Sequence, residues 1–126
     1  MKHILAVLFL ILTISCKSEK DNKIPKKHNP SEHITQNLEN EKAIELYFKA
    51  IENIGDGNFE VAKKYLKESL EIEKSPILLN ELGTIAIAEK NYGEALSYFN
   101  ESINLEPLYY PSHINKSRVL TLQSDF

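Results

Sequence analysis

Asn58–Glu73 reads NFEVAKKYLKESLEIE, and Asn91–Glu106, 33 residues further on, reads NYGEALSYFNESINLE. Six of the sixteen positions are identical: Asn58/Asn91, Ala62/Ala95, Tyr65/Tyr98, Glu68/Glu101, Ser69/Ser102 and Glu73/Glu106. Four more exchange like for like: Phe59/Tyr92, Leu66/Phe99, Leu70/Ile103 and Ile72/Leu105. Unrelated stretches of this length would share about one residue, and self-similarity at a period of about 20 to 50 residues marks stacked repeats.

The spacing predicts two helices in each unit. Leu78, Leu79, Leu82, Ile85 and Ala86 recur at intervals of three and four, the period of a helix with one buried stripe. Lys90-Asn91-Tyr92 interrupts the pattern, and Ala95, Leu96, Phe99, Ser102 and Ile103 form a second stripe. Pro107 follows where a helix should stop. Small residues allow helices to approach closely, so Gly83 and Ala95 mark the expected crossing. Ala50 and Ala62 mark it in the preceding unit.

Leu79-x2-Leu82-Gly83-x2-Ala86, then Ala95-x3-Phe99, then Pro107 resembles the tetratricopeptide repeat (TPR) signature. Leu79 and Ala86 stand where that family has aromatics. The unit at 43–75 keeps Ala50, Gly57, Phe59, Ala62 and Leu66, and the matching unit spans 76–109. A partial unit, 110–126, has Ser117 in the place of Gly83, and Ser124-Asp125-Phe126 matches the turn Lys90-Asn91-Tyr92. The resemblance implies an all-α fold, a short solenoid of antiparallel helix pairs with about two and a half repeats over residues 39–126. Lys116, Arg118, Thr121 and Gln123 suit a solvent-facing side of the last helix.

The resemblance also implies a concave face, lined by the first helix of each unit, that holds a peptide or a partner helix. Carried over, that face includes Ile44, Tyr47, Phe48 and Ile51, then Asn80, Glu81, Thr84 and Ile87, then Asn115 and Arg118. Chaperone-binding members hold a C-terminal carboxylate there with a Lys/Asn/Arg clamp. Here Tyr47, Ile51, Glu81 and Pro111 occupy clamp places, so no such clamp is expected. A groove lined by Tyr47, Ile51 and Ile87 suits an amphipathic helix or an extended apolar peptide. The competing reading is that these residues pack against a neighbouring helix or the N-terminal segment. Residues 43–126 carry eight basic and thirteen acidic side chains, a formal −5, which favours a basic partner.

The N-terminus reads as an address. Lys2 precedes an eleven-residue apolar run, Ile4 to Ile14. As a helix that run would reach about 16 Å, against a hydrocarbon core of about 30 Å, so a signal peptide over 1–15 is expected rather than a span. Leu12-Thr13-Ile14-Ser15-Cys16 resembles the lipobox of bacterial lipoproteins, although Thr13 stands where that family usually has an aliphatic residue. The resemblance implies cleavage before Cys16, lipidation of its thiol, and anchoring to the bacterial cell envelope, at the outer membrane. The lipid bilayer is then a partner through acylated Cys16.

Residues 16–38 are rich in Lys, Asn, Ser and Glu, with Pro25 and Pro30 and no apolar period, which predicts a flexible linker. Its lysines could lie against anionic headgroups, though a solvated spacer is the simpler reading. His28 and His33 lack a rigid frame, so no metal site is expected.

The whole chain of 126 residues has a formal charge of −3, poor for nucleic-acid binding. It has one cysteine and four glycines and no glycine-rich phosphate loop, so no cofactor is expected. No catalytic grouping stands out, and His113 has no positioned partner in sequence, so an enzyme is not expected. The function that results is a membrane-anchored scaffold binding another protein or peptide. The alternative is a truncated remnant of a longer repeat lipoprotein with no independent activity.

Overall fold

The computed structural model describes residues 38–125. The signal peptide, Cys16, residues 16–37 of the expected linker, and Phe126 lie outside the described residues. Five α-helices follow one another: α1 (Glu41–Gly55), α2 (Phe59–Ile72), α3 (Pro76–Ala88), α4 (Tyr92–Leu105) and α5 (Tyr110–Ser124). The described residues contain no strand. The fold is the expected all-α helical repeat. α1 pairs with α2 and α3 with α4, while α5 packs on α4 and α3.

Equivalent residues do equivalent work in the two pairs. Ser69 Oγ on α2 donates to the Ala43 carbonyl of α1 at 2.9 Å. Ser102 Oγ on α4 donates to the Pro76 carbonyl of α3 at 3.0 Å. Both serines are buried, so each hydroxyl needs that partner. The turns match as well. Gly57 (φ 76°) and Lys90 (φ 61°) take the left-handed conformation at the ends of α1 and α3. Their amides donate to Ile54 and Ile87 three residues back, and Asn58 and Asn91 donate to Asn53 and Ala86 five back. This is the Schellman arrangement that satisfies the last carbonyls of a helix.

α3 is the central element, buried at ten of its thirteen residues. It is apolar nearly all round because it is covered by α2, α4 and α5. Gly83 lies against the Phe99 ring; a Cβ there would come within 2.5 Å of Phe99 Cε1. Phe99 itself is fully buried. The missing side chain of one helix is therefore filled by the large ring of its partner.

One boundary is corrected. The linker expected to run through residue 38 does not include Leu38, which is fully buried in the first core cluster with Ala43, Tyr47, Ala62 and Ile77. Its apolar side chain covers the open end of the first pair. The chain enters α1 through two exposed residues held from behind. Both Glu73 carboxylate oxygens accept from the Glu39 amide, at 2.9 and 3.1 Å, and Oε2 also accepts from Asn40 at 2.8 Å. Asn40 then caps α1 by accepting from the amides of Lys42 and Ala43.

Candidate functional site

The first helices of the three units, α1, α3 and α5, carry the expected face. With units offset by 33 and 34 residues, Tyr47, Asn80 and Ile114 are equivalent, as are Phe48, Glu81 and Asn115. The structure commits the first row largely to packing. Tyr47 is only 5% exposed and belongs to the first core cluster with Ile77. Asn80 is buried, and its Oδ1 accepts from Ser112 Oγ at 3.2 Å and Asn115 Nδ2 at 3.0 Å. Ser112 also meets Ser102 Oγ at 2.6 Å. These bonds tie α5 to α3 and α4 through a buried polar chain, so Asn80 positions the last helix rather than facing a partner.

The expected apolar groove is corrected at two of its three lining residues. Tyr47 is covered, and Ile87, 7% exposed, belongs to the second cluster with Phe99 and Val119 of α5. Tyr47 is covered by the first cluster, with Leu38 and Ile77, and Ile87 by α5, whose Val119 packs in the same cluster over the C-terminal half of α3. Ile51 is half-buried against the first core, as is Ile44. Thr84 is half-buried and donates to the Asn80 carbonyl at 3.0 Å. Asn115 is half-buried and Arg118 is exposed.

The apolar surface on offer lies at the two flanks. Phe48 on α1 is 45% exposed and packs edge-on to Tyr47 with ring centroids 5.6 Å apart. On the other flank Ile114 is 67% exposed, one turn beyond exposed Tyr110. Between the flanks, on α3, stands Glu81, half-buried. Ile77, one turn before it on the same side of α3, packs in the first cluster with Tyr47 and, at its edge, Tyr109. Burial pushes the Glu81 carboxyl above the usual carboxylate range, with a hydrogen bond from Asn80 opposing the shift. Burial and the Glu81 charge together push the Tyr109 phenol up to about 12, and the Tyr47 phenol higher still.

Tyr109 is the residue that repeat comparison could not find. Its equivalent one unit earlier is Ser75, so no aromatic recurs there to mark it. His113, the remaining chemical side chain on α5, is exposed with Nε2 donating to the Pro107 carbonyl at 2.8 Å. Surface depressions also lie away from this face. One runs along α2 beside Lys63, Lys64 and Lys67; another, of about 250 Å3, lies between α2 and α4 over Leu70, Leu79 and Leu105. Among the described residues no helix is long and apolar enough to cross a membrane.

Residues 78–107, from the first turn of α3 to just past the end of α4, match a tetratricopeptide repeat. A search among curated proteins finds no match to the chain.

Proposed function

We propose that this chain is an interaction module of the bacterial cell envelope: the face of α1, α3 and α5 holds a protein or peptide partner, and acylated Cys16 holds the module to the membrane. A tetratricopeptide repeat points to binding of another protein or peptide rather than to chemistry on a small molecule. The observation that carries this reading is the second row of the face. Phe48, Glu81 and Asn115, at one position of three successive units, keep part of their surface accessible, while Tyr47 and Asn80 beside the first two are packed. An apolar flank, a carboxylate and a second apolar flank at Ile114 form a surface that a short peptide or partner helix can lie across. The anchor rests on the N-terminal residues alone: a charged start, a short apolar run, and the chain's one cysteine directly after Ser15. Two or more acyl chains hold a protein on a bilayer where one does not.

The test is photo-crosslinking of the full chain in its native membrane. A photoreactive residue replaces Phe48 in one preparation and exposed Lys64, on α2 away from the face, in another. A discrete protein adduct from position 48 and none from position 64 is expected. Equal labelling from both positions, or none from 48, overturns the proposal for the face.

A further inference from the structure

The face proposed above carries one feature that its apolar flanks do not explain, and this inference rests on that face being the binding surface. Glu81 sits half-buried at the centre of the three helices, on ground made of Ile77, Tyr47 and Tyr109. A carboxylate placed there has lost much of its water, which destabilises the charge unless a cation or good donors replace it. Among the described residues the ion pairs join Lys42 and Lys49 to Glu45, and Lys63 to Glu60 and Glu89; none reaches Glu81. Its hydrogen-bond partner is the neutral side chain of Asn80, which is itself shared with Ser112 and Asn115. The two phenols whose titration it opposes, Tyr47 and Tyr109, are neutral at physiological pH and carry no compensating charge.

We propose that Glu81 receives a basic side chain of the partner: the peptide bound on this face carries a lysine or arginine whose cation pairs with the Glu81 carboxylate, with an apolar residue on each side reaching Phe48 and Ile114. The geometry supplies each element. Phe48 is exposed on α1 and Ile114 on α5, the first helices of the units before and after that of Glu81. The half-buried setting makes a charge-assisted hydrogen bond stronger than one made in open water. The net −5 of residues 43–126 draws a cation toward the molecule before contact. A partner with an acidic or neutral residue at that place would leave the carboxylate desolvated and unpaired, so the site discriminates by sign.

The test is selection from a random library of roughly 12-residue peptides displayed on phage, against the full chain in detergent micelles, followed by anisotropy with the enriched peptides. The expected result is enrichment of one Lys or Arg between apolar residues. Replacing that residue in the peptide by norleucine, or Glu81→Gln in the protein, should each weaken binding about tenfold or more. The two changes combined should cost little beyond either alone, and Glu71→Gln on exposed α2 should change nothing. Helicity by circular dichroism checks that Glu81→Gln is folded, and the norleucine arm reads the same contact with the protein untouched. Enriched peptides lacking a basic residue, or binding unmoved by both replacements, overturn the cation site and leave the binding face standing. No enrichment at all overturns both.

Discussion

Glu81 is worse placed for stability than a surface glutamate, and this can be measured without any partner. Its carboxyl is raised in the fold by burial, beside the Tyr47 and Tyr109 phenols that its charge also raises. The folded state therefore holds this proton more tightly than the unfolded chain does. Stability should be higher while Glu81 is protonated and should fall as pH rises from the ordinary carboxylate value through the raised one. Glu81→Gln removes that loss. Urea melts across this window should show the variant gaining on the wild type as pH rises and staying more stable at neutral pH. A variant less stable than wild type at neutral pH would place Glu81 in a stabilising contact instead. The Ser69 and Ser102 hydroxyls are the opposite case: identical in sequence, each buried, each donating to the equivalent carbonyl 26 residues back. One residue type at one register repeats a structural bond, while Phe48, Glu81 and Asn115 at another register diverge.

At the level of elements, the two turns invite a direct comparison. Gly57 adopts φ 76° without a Cβ, whereas Lys90 holds φ 61° with one. A left-handed conformation costs an L-residue about 1 kcal/mol relative to glycine. Lys90→Gly should therefore raise stability by about 1 kcal/mol, read as a shift of the denaturation midpoint, and Gly57→Lys should lower it by a similar amount. The interior of α3 reverses the usual rule. Glycine to alanine in a helix ordinarily gains about 1 kcal/mol. At Gly83 the new methyl would meet three Phe99 ring atoms at 2.5 to 2.9 Å, and Phe99 has no room to retreat. Gly83→Ala should cost about 1 to 3 kcal/mol, and Phe99→Leu in the same chain should recover part of it, a coupling that a double-mutant cycle would read.

The helix pairs were legible in the sequence because they recur: an offset of 33 aligns Ala62 with Ala95, Leu66 with Phe99 and Ser69 with Ser102. What does not recur was not legible. Leu38 stands before the first unit and fills its open end, and Tyr109 has a serine as its counterpart. The burial of Tyr47 and Ile87 depends on what covers each residue, which spacing along one helix cannot reveal.

Across the whole molecule, stability is concentrated at the centre. α3 is enclosed by α2, α4 and α5, while α5 buries only Ser112 and Val119 and is held to α3 by the hydrogen bonds to Asn80 and by Val119 in one cluster with Ile87. The proposed anchor sets where this body can act. Cys16 and Leu38 are 22 residues apart, and even a fully extended chain covers about 3.3 to 3.6 Å per residue, so with that anchor Leu38, where the repeats begin, stays within about 80 Å of the bilayer. Any partner of the face must come within that distance plus the length of the repeats, whether it is itself in the membrane or soluble. The anchor is tested by intact mass of the protein taken from its native membrane. The wild type should have the mass of residues 16–126 plus a diacylglyceryl group, with or without a further acyl chain, and should partition into detergent. Cys16→Ala should lose the lipid mass and retain residues 1–15. Each acyl methylene contributes about 0.8 kcal/mol, so the two forms should separate fully on phase partition if the chains are the anchor. A wild-type mass beginning at Met1 without lipid would remove both the anchor and the distance limit. The face of α1, α3 and α5 would then have to find its partner without confinement to a surface.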